Sequence, residues 1–134
     1  MATLEKLPLY HLTPASYYDS QPSDQPYRPA GFASEGFVHC ASGASLLLQV
    51  ANHYFSGLTE ALLVLQIEPG RLNVPLKYEP PLAPATAGRE AATWDNQILF
   101  PHIYGPINRQ AIVACFALPR DLAGRWHMPE SEVS

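Results

Sequence analysis

Residues 36–57 read Gly-Phe-Val-His-Cys-Ala-Ser-Gly-Ala-Ser-Leu-Leu-Leu-Gln-Val-Ala-Asn-His-Tyr-Phe-Ser-Gly, and this stretch decides the class of fold. Its opening, residues 36–41, has the composition and length of a strand. Ser42 and Ser45 then offer two hydroxyls of the kind that cap a helix. Beyond them Leu47, Val50, Ala51, Tyr54 and Phe55 recur at i, i+3, i+4, i+7 and i+8, so one helical face is buried. Gly57 is the expected stop.

Working outward, residues 9–13 form a short opening strand ended by Pro14. Residues 14–30 hold four prolines among Ser, Asp and Gln and read as a loop. Residues 61–67 and 111–118 are continuous apolar runs of strand length, expected as central strands covered on both faces. Residues 80–97, with Pro80, Pro81, Pro84 and Gly88, read as a second long loop. Residues 98–107 read as an interrupted strand, because Pro101 and Pro106 cannot donate ladder hydrogen bonds and suit an edge or a bulge. The tail after Arg120 is polar, and its end at 129–134 is expected to fray. The sum is an α+β single domain over 1–134, with its core at about 9–118 and a C-terminal extension at 119–134. Its sheet is split, mixed and mostly antiparallel, with one principal helix.

Composition agrees with this and restricts function. In 134 residues, 47% are hydrophobic and 15% charged, which supports a packed core rather than disorder. Fourteen prolines speak against an all-helical bundle. A formal charge of −4 argues against a broad surface for duplex nucleic acid. Cys40 and Cys115 are far apart, with no CxxC, as in reduced cytoplasmic proteins. The N-terminal residues lack the pattern of a signal peptide, and the longest apolar run, 111–118, is far short of a bilayer span. A cytoplasmic protein with no membrane partner is expected.

Three histidines sit in or beside expected strands: His11, His39 and His102. Strand alternation places Leu9, His11 and Thr13 on one face, and Phe37, His39 and Ala41 on one face of the second strand. Their imidazoles can line one pocket and donate, accept or transfer a proton near neutrality. Each alone is more simply a core histidine bonded to a carbonyl. In an extended 100–106, Phe100, His102 and Tyr104 share a face. Ser42 is placed for an N-cap or for an anion at a helix start. Asn52 lies on the helix flank, facing either pocket or solvent. Glu79 is a general base or ribose acceptor, or only a solvated strand end, and Arg109 is an anion contact or an ordinary exposed arginine. A Cys40 thiol enzyme is set aside, since Cys40 points away from His39 and buried inert cysteines are common. A metal centre built on His11, His39 and His102 lacks any ligand spacing in the sequence, and no metal is expected.

In order along the chain, Tyr10-His11-Leu12-Thr13, residues 36–42, residues 50–55, residues 62–69, Tyr78-Glu79 and residues 100–106 resemble a small bacterial family called Domain of Unknown Function 952. The resemblance spans roughly 9–118. Residues 17–30 and 80–97 look longer and richer in proline than the family's usual connections. The family's motif order is in turn similar to the ADP-ribosyltransferase-like fold, especially its RNA 2′-phosphotransferase branch. That likeness implies a nucleotide-binding domain with NAD as cofactor, and a transferase of unassigned acceptor. It implies His11, Thr13, Ser42, Asn52 and Tyr104 as ligand contacts: His11 at a ribose hydroxyl or pyrophosphate, Ser42 at the nicotinamide-side ribose and Tyr104 stacked on a ring. His39 and His102 would orient or protonate the substrate, with Glu79 the third catalytic candidate. Two alternatives stand beside it: a non-catalytic small-ligand or partner-binding module, and a His-rich metal-dependent hydrolase.

Overall fold

The computed structural model describes residues 7–80 and 99–129. The chain runs β1 (Leu9–Pro14), α1 (Ala15–Asp19), α2 (Phe32–Glu35), β2 (Val38–His39), β3 (Ala41–Ser42), α3 (Ala44–Tyr54), β4 (Leu62–Ile67), β5 (Leu76–Glu79), β6 (Phe100–Ile103) and β7 (Ile112–Ala117). The strands make two sheets, of order β3-β1-β4-β7 and β2-β6-β5. Every pairing is antiparallel. The expected α+β class, split sheet and single principal helix α3 are all present. No helix among the described residues is long and apolar enough to cross a membrane.

Alternation along β1 and β4 sorts the core into two layers. Leu9, Leu65 and Ile67 pack with Val38 and Ile103, joining the two sheets, while Tyr10, Leu62 and Val64 pack under Leu47 and Ala51 of α3. Each buried leucine contributes about 2 kcal/mol of apolar transfer. The larger sheet is thus covered by α3 on one face and by the smaller sheet on the other.

Several expectations are corrected. The strand at 36–41 is two strands of two residues each, in different sheets. Val38 and His39 pair with Ile103 and His102 of β6, whereas Ala41 pairs with Tyr10 of β1. The chain changes sheet at Cys40, whose N–H makes a last bond to the Pro101 carbonyl at 3.1 Å. Neither serine caps α3. The N-cap is Gly43, at φ 81°, a conformation that favours glycine, and no side chain bonds the helix start. Ser42 is extended instead, opposite Leu9. The loop at 14–30 contains α1, and α3 ends at Tyr54, before Gly57.

Of the two apolar runs, only β4 is central. β7 is an edge strand with Val113, Cys115 and Ala117 exposed, because only one of its faces has a layer over it. Conversely β6, expected at an edge, is the central strand of the smaller sheet. Pro101 is tolerated there because β2 ends beside it: Pro101 accepts from Cys40 and has no N–H to return. The polar tail carries two anchors, since Trp126 and Met128 are buried against the α3 layer. Arg120 lies 3.9 Å over the Trp126 ring and donates to the Phe55, Ser56 and Leu58 carbonyls after α3. The loop at 80–97 and the fraying end at 129–134 fall, except for Pro80 and Pro129, outside the described residues.

Candidate functional site

β3 pairs only with Leu9 and Tyr10, so among the described residues the edge of β1 from His11 to Pro14 has no strand beside it on that side. A cavity of about 530 Å³ lies there, bordered by β1, β2, β6, α3 and the segment around Phe37. Its wall is largely apolar and aromatic, with Leu12, Pro14, Tyr27, Phe37, Val50 and Phe100 among the contributors. His11, His39 and His102 all reach it, from three strands, as the alternation suggested. Its volume lies within the roughly 300–1,000 Å³ common for small-molecule sites.

Each imidazole is fixed by a bond that also sets its proton. His11 Nδ1–H donates to the His39 carbonyl at 2.7 Å, leaving Nε2 as the basic nitrogen. Burial outweighs that bond and lowers the His11 pKa to about 4, so the ring is neutral at pH 7. His39 Nε2–H donates to Glu35 Oε2 at 2.8 Å. His102 Nδ1–H donates to Glu79 Oε1 at 2.8 Å, and the same oxygen accepts the Tyr104 hydroxyl at 2.5 Å. Those two bonds, Tyr104's the larger, hold the Glu79 carboxyl below its ordinary range. Burial in turn pushes the His102 pKa down, against the pull of Glu79. His102 is 1% exposed, and its Nε2 is buried with no partner among the described residues.

His39 and His102 face each other across the β2–β6 register, with ring centroids 5.5 Å apart and edge to face. The Phe37 ring lies 4.3 Å from His102, 4.8 Å from His39 and 5.5 Å from Tyr104. Two carboxylate-anchored imidazoles under an aromatic ring can bind a polar, planar group and can accept or return a proton. Among the described residues no group of three His, Cys, Asp or Glu side chains is placed to hold a metal ion.

The sequence profile of a family described as "Protein of unknown function (DUF952)" matches residues 12–115. The chain belongs to this family. Two solved structures share the fold of this DUF952 protein. Protein CC0527 from Caulobacter crescentus has a TM-score of 0.68 at 20% identity, over 90% of this chain and 93% of that one. A double mutant of the same Caulobacter protein has a TM-score of 0.67 at 19% identity, with the same coverage of both chains. No curated protein matches the chain.

The remaining expected contacts divide. Thr13 borders the cavity, but its Oγ1 accepts the buried Tyr27 hydroxyl at 2.8 Å. Glu79 and Tyr104 stand behind His102 and are not among the residues lining the cavity. Ser42 does not line it either: its hydroxyl is buried in β3 without a partner among the described residues. Asn52 is also outside the lining. Its amide donates to the Leu48 and Trp126 carbonyls and accepts the Trp126 N–H at 2.8 Å, so it joins α3 to the tail. Arg109 is a strap, donating to the Gln25 and Pro22 carbonyls and to the Tyr18 hydroxyl. Cys40 is buried and its thiol pKa is raised by desolvation, which agrees with setting thiol chemistry aside.

Two site residues have no clear sequence signal. Glu35 closes α2, and Gly36, left-handed at φ 81°, turns the chain so that Glu35 meets His39. Only the i, i+4 spacing of an acid and a histidine hints at it. Phe37 was placed on the His39 face by alternation, but nothing in its local pattern marked it as the ring packed against two imidazoles.

Proposed function

We propose that this DUF952 domain binds a small nucleotide-like ligand in the cavity, with NAD the first candidate. The observation that carries the reading is the convergence of His11, His39 and His102 on one aromatic-walled cavity. Its size suits a nicotinamide or nucleoside portion, whose ring can lie near Phe37 and whose polar groups can reach the imidazoles. No Lys or Arg is among the described residues lining it, so phosphates belong at or beyond its mouth. The motif likeness to ADP-ribosyltransferase-like domains supports the same ligand class.

Binding is better supported than turnover. Glu79, the third catalytic candidate, is turned to His102 and Tyr104 and acts as a support for His102. Glu35, which does line the cavity, is bonded to His39. A histidine-ring NMR titration with NAD⁺ tests the reading. Saturable, concerted changes at His11, His39 and His102 are expected. Silence of all three rings at millimolar NAD⁺ would remove it.

A further inference from the structure

We infer that the cavity is an acceptor site: it selects an uncharged ligand group that donates hydrogen bonds, such as a carboxamide or a ribose diol, over an anion. This deepens the nucleotide reading and rests on it. The argument is one of proton placement. A carbonyl oxygen can only accept, so the His11 bond to the His39 carbonyl puts the proton of a neutral ring on Nδ1. The Glu79 oxygen that already accepts Tyr104 can only accept from His102 as well, which again puts the proton on Nδ1. In both rings Nε2 is then a bare lone pair.

The lone pair of His102 Nε2 is buried and has no partner among the described residues. Leaving such a group unsatisfied costs about 1–3 kcal/mol, and a native structure normally supplies a partner. A ligand N–H or O–H satisfies it. A carboxylate or phosphate brings only further lone pairs and meets no lysine or arginine among the described residues of the cavity wall. Glu79 is the positioning residue, because it fixes which nitrogen of His102 is bare.

The test has two parts, both on the full chain at pH 7.5. Long-range ¹H–¹⁵N spectra of the free protein report the tautomers directly. A bare Nε2 in both His11 and His102 is expected, and a protonated Nε2 in His102 overturns the inference without touching the nucleotide reading. In Glu79→Ala the His102 proton is expected to move toward Nε2, a change that a purely structural role for Glu79 does not produce.

The second part is a binding series: nicotinamide against methyl nicotinate and nicotinate, and adenosine against 2′,3′-O-isopropylideneadenosine. Loss of the donor is expected to weaken binding about tenfold, the equivalent of one hydrogen bond. Equal or tighter binding of nicotinate or the blocked nucleoside refutes donor selection, while NAD⁺ binding would still stand. Failure of NAD⁺, nicotinamide and adenosine alike refutes the nucleotide reading and this inference with it.

Discussion

Acidification from pH 7 to pH 4 removes roughly 3 kcal/mol of stability through His11 alone. The imidazole is buried against Tyr27 and the His39 carbonyl, and desolvation lowers its pKa from 6.5 to about 4. Above pH 6.5 the ring is neutral in both folded and unfolded chains and contributes no slope. Below that, the unfolded chain takes up a proton that the folded one refuses, so stability falls until the folded ring also protonates near pH 4. A window of about 2.5 pH units at about 1.36 kcal/mol each gives the figure. Little solvent screening reduces it, because His11 is buried.

Urea unfolding at half-unit steps of pH, for the native sequence and for His11→Gln, measures the effect. Glutamine can keep a donor for the His39 carbonyl but does not titrate. Losses from other groups, including His102, whose pKa is lowered in the same direction, are common to both curves. The native curve should drop by roughly 3 kcal/mol more than the variant's between pH 6.5 and 4. Parallel curves, or a His11 ring that titrates by NMR at its ordinary pKa, would show that burial does not hold the imidazole neutral.

Other perturbations separate scaffold from site. Asn52→Ala breaks two bonds between α3 and the Trp126 backbone and one to the Leu48 carbonyl within α3, and should cost about 1–3 kcal/mol in urea unfolding, with NAD⁺ binding unchanged; a folded variant that fails to bind would return Asn52 to the site. Ellman's reagent should modify Cys115 in the native protein and reach Cys40 only on unfolding, since Cys115 is exposed and Cys40 is buried. Peptide mass mapping that finds Cys40 labelled first would contradict this packing. Gly105→Ala would put a methyl 2.5 Å from Val74 Cγ1. Overpacking of that kind costs about 1–3 kcal/mol, so an unchanged melting temperature would mean that the turn after β6 is looser than described.

Much of the frame was legible because it follows from periodicity. The apolar stripe of α3, the opening strand β1 and the apolar run of β4 are local patterns, and alternation placed His11 with Thr13. What was hidden is long-range. Nothing in residues 36–41 reveals that β2 and β3 belong to different sheets, since each strand's partner lies far along the chain. β7 looks as apolar as β4, and only its place at the sheet edge makes it differ. The prolines of 100–106 suggested an edge, but Pro101 falls where β2 leaves β6. Asn52, similarly, looked equally suited to pocket or solvent until Trp126 folded back to meet it.

The central place of β6 in its sheet also bears on how the protein is made. Synthesis proceeds from the N-terminus, and a domain folds as a unit once its parts have emerged. While residues 80–99 are being added, β2 and β5 exist without the strand that joins them. Of the larger sheet, the segments of β3, β1 and β4 have by then been made, with only that of its β7 edge outstanding. A nascent chain halted before Phe100 therefore holds His11 and His39 but neither His102 nor the smaller sheet. Any small molecule that depends on the full cavity would stabilise only chains translated past that strand, and its binding would distinguish finished molecules from truncated ones.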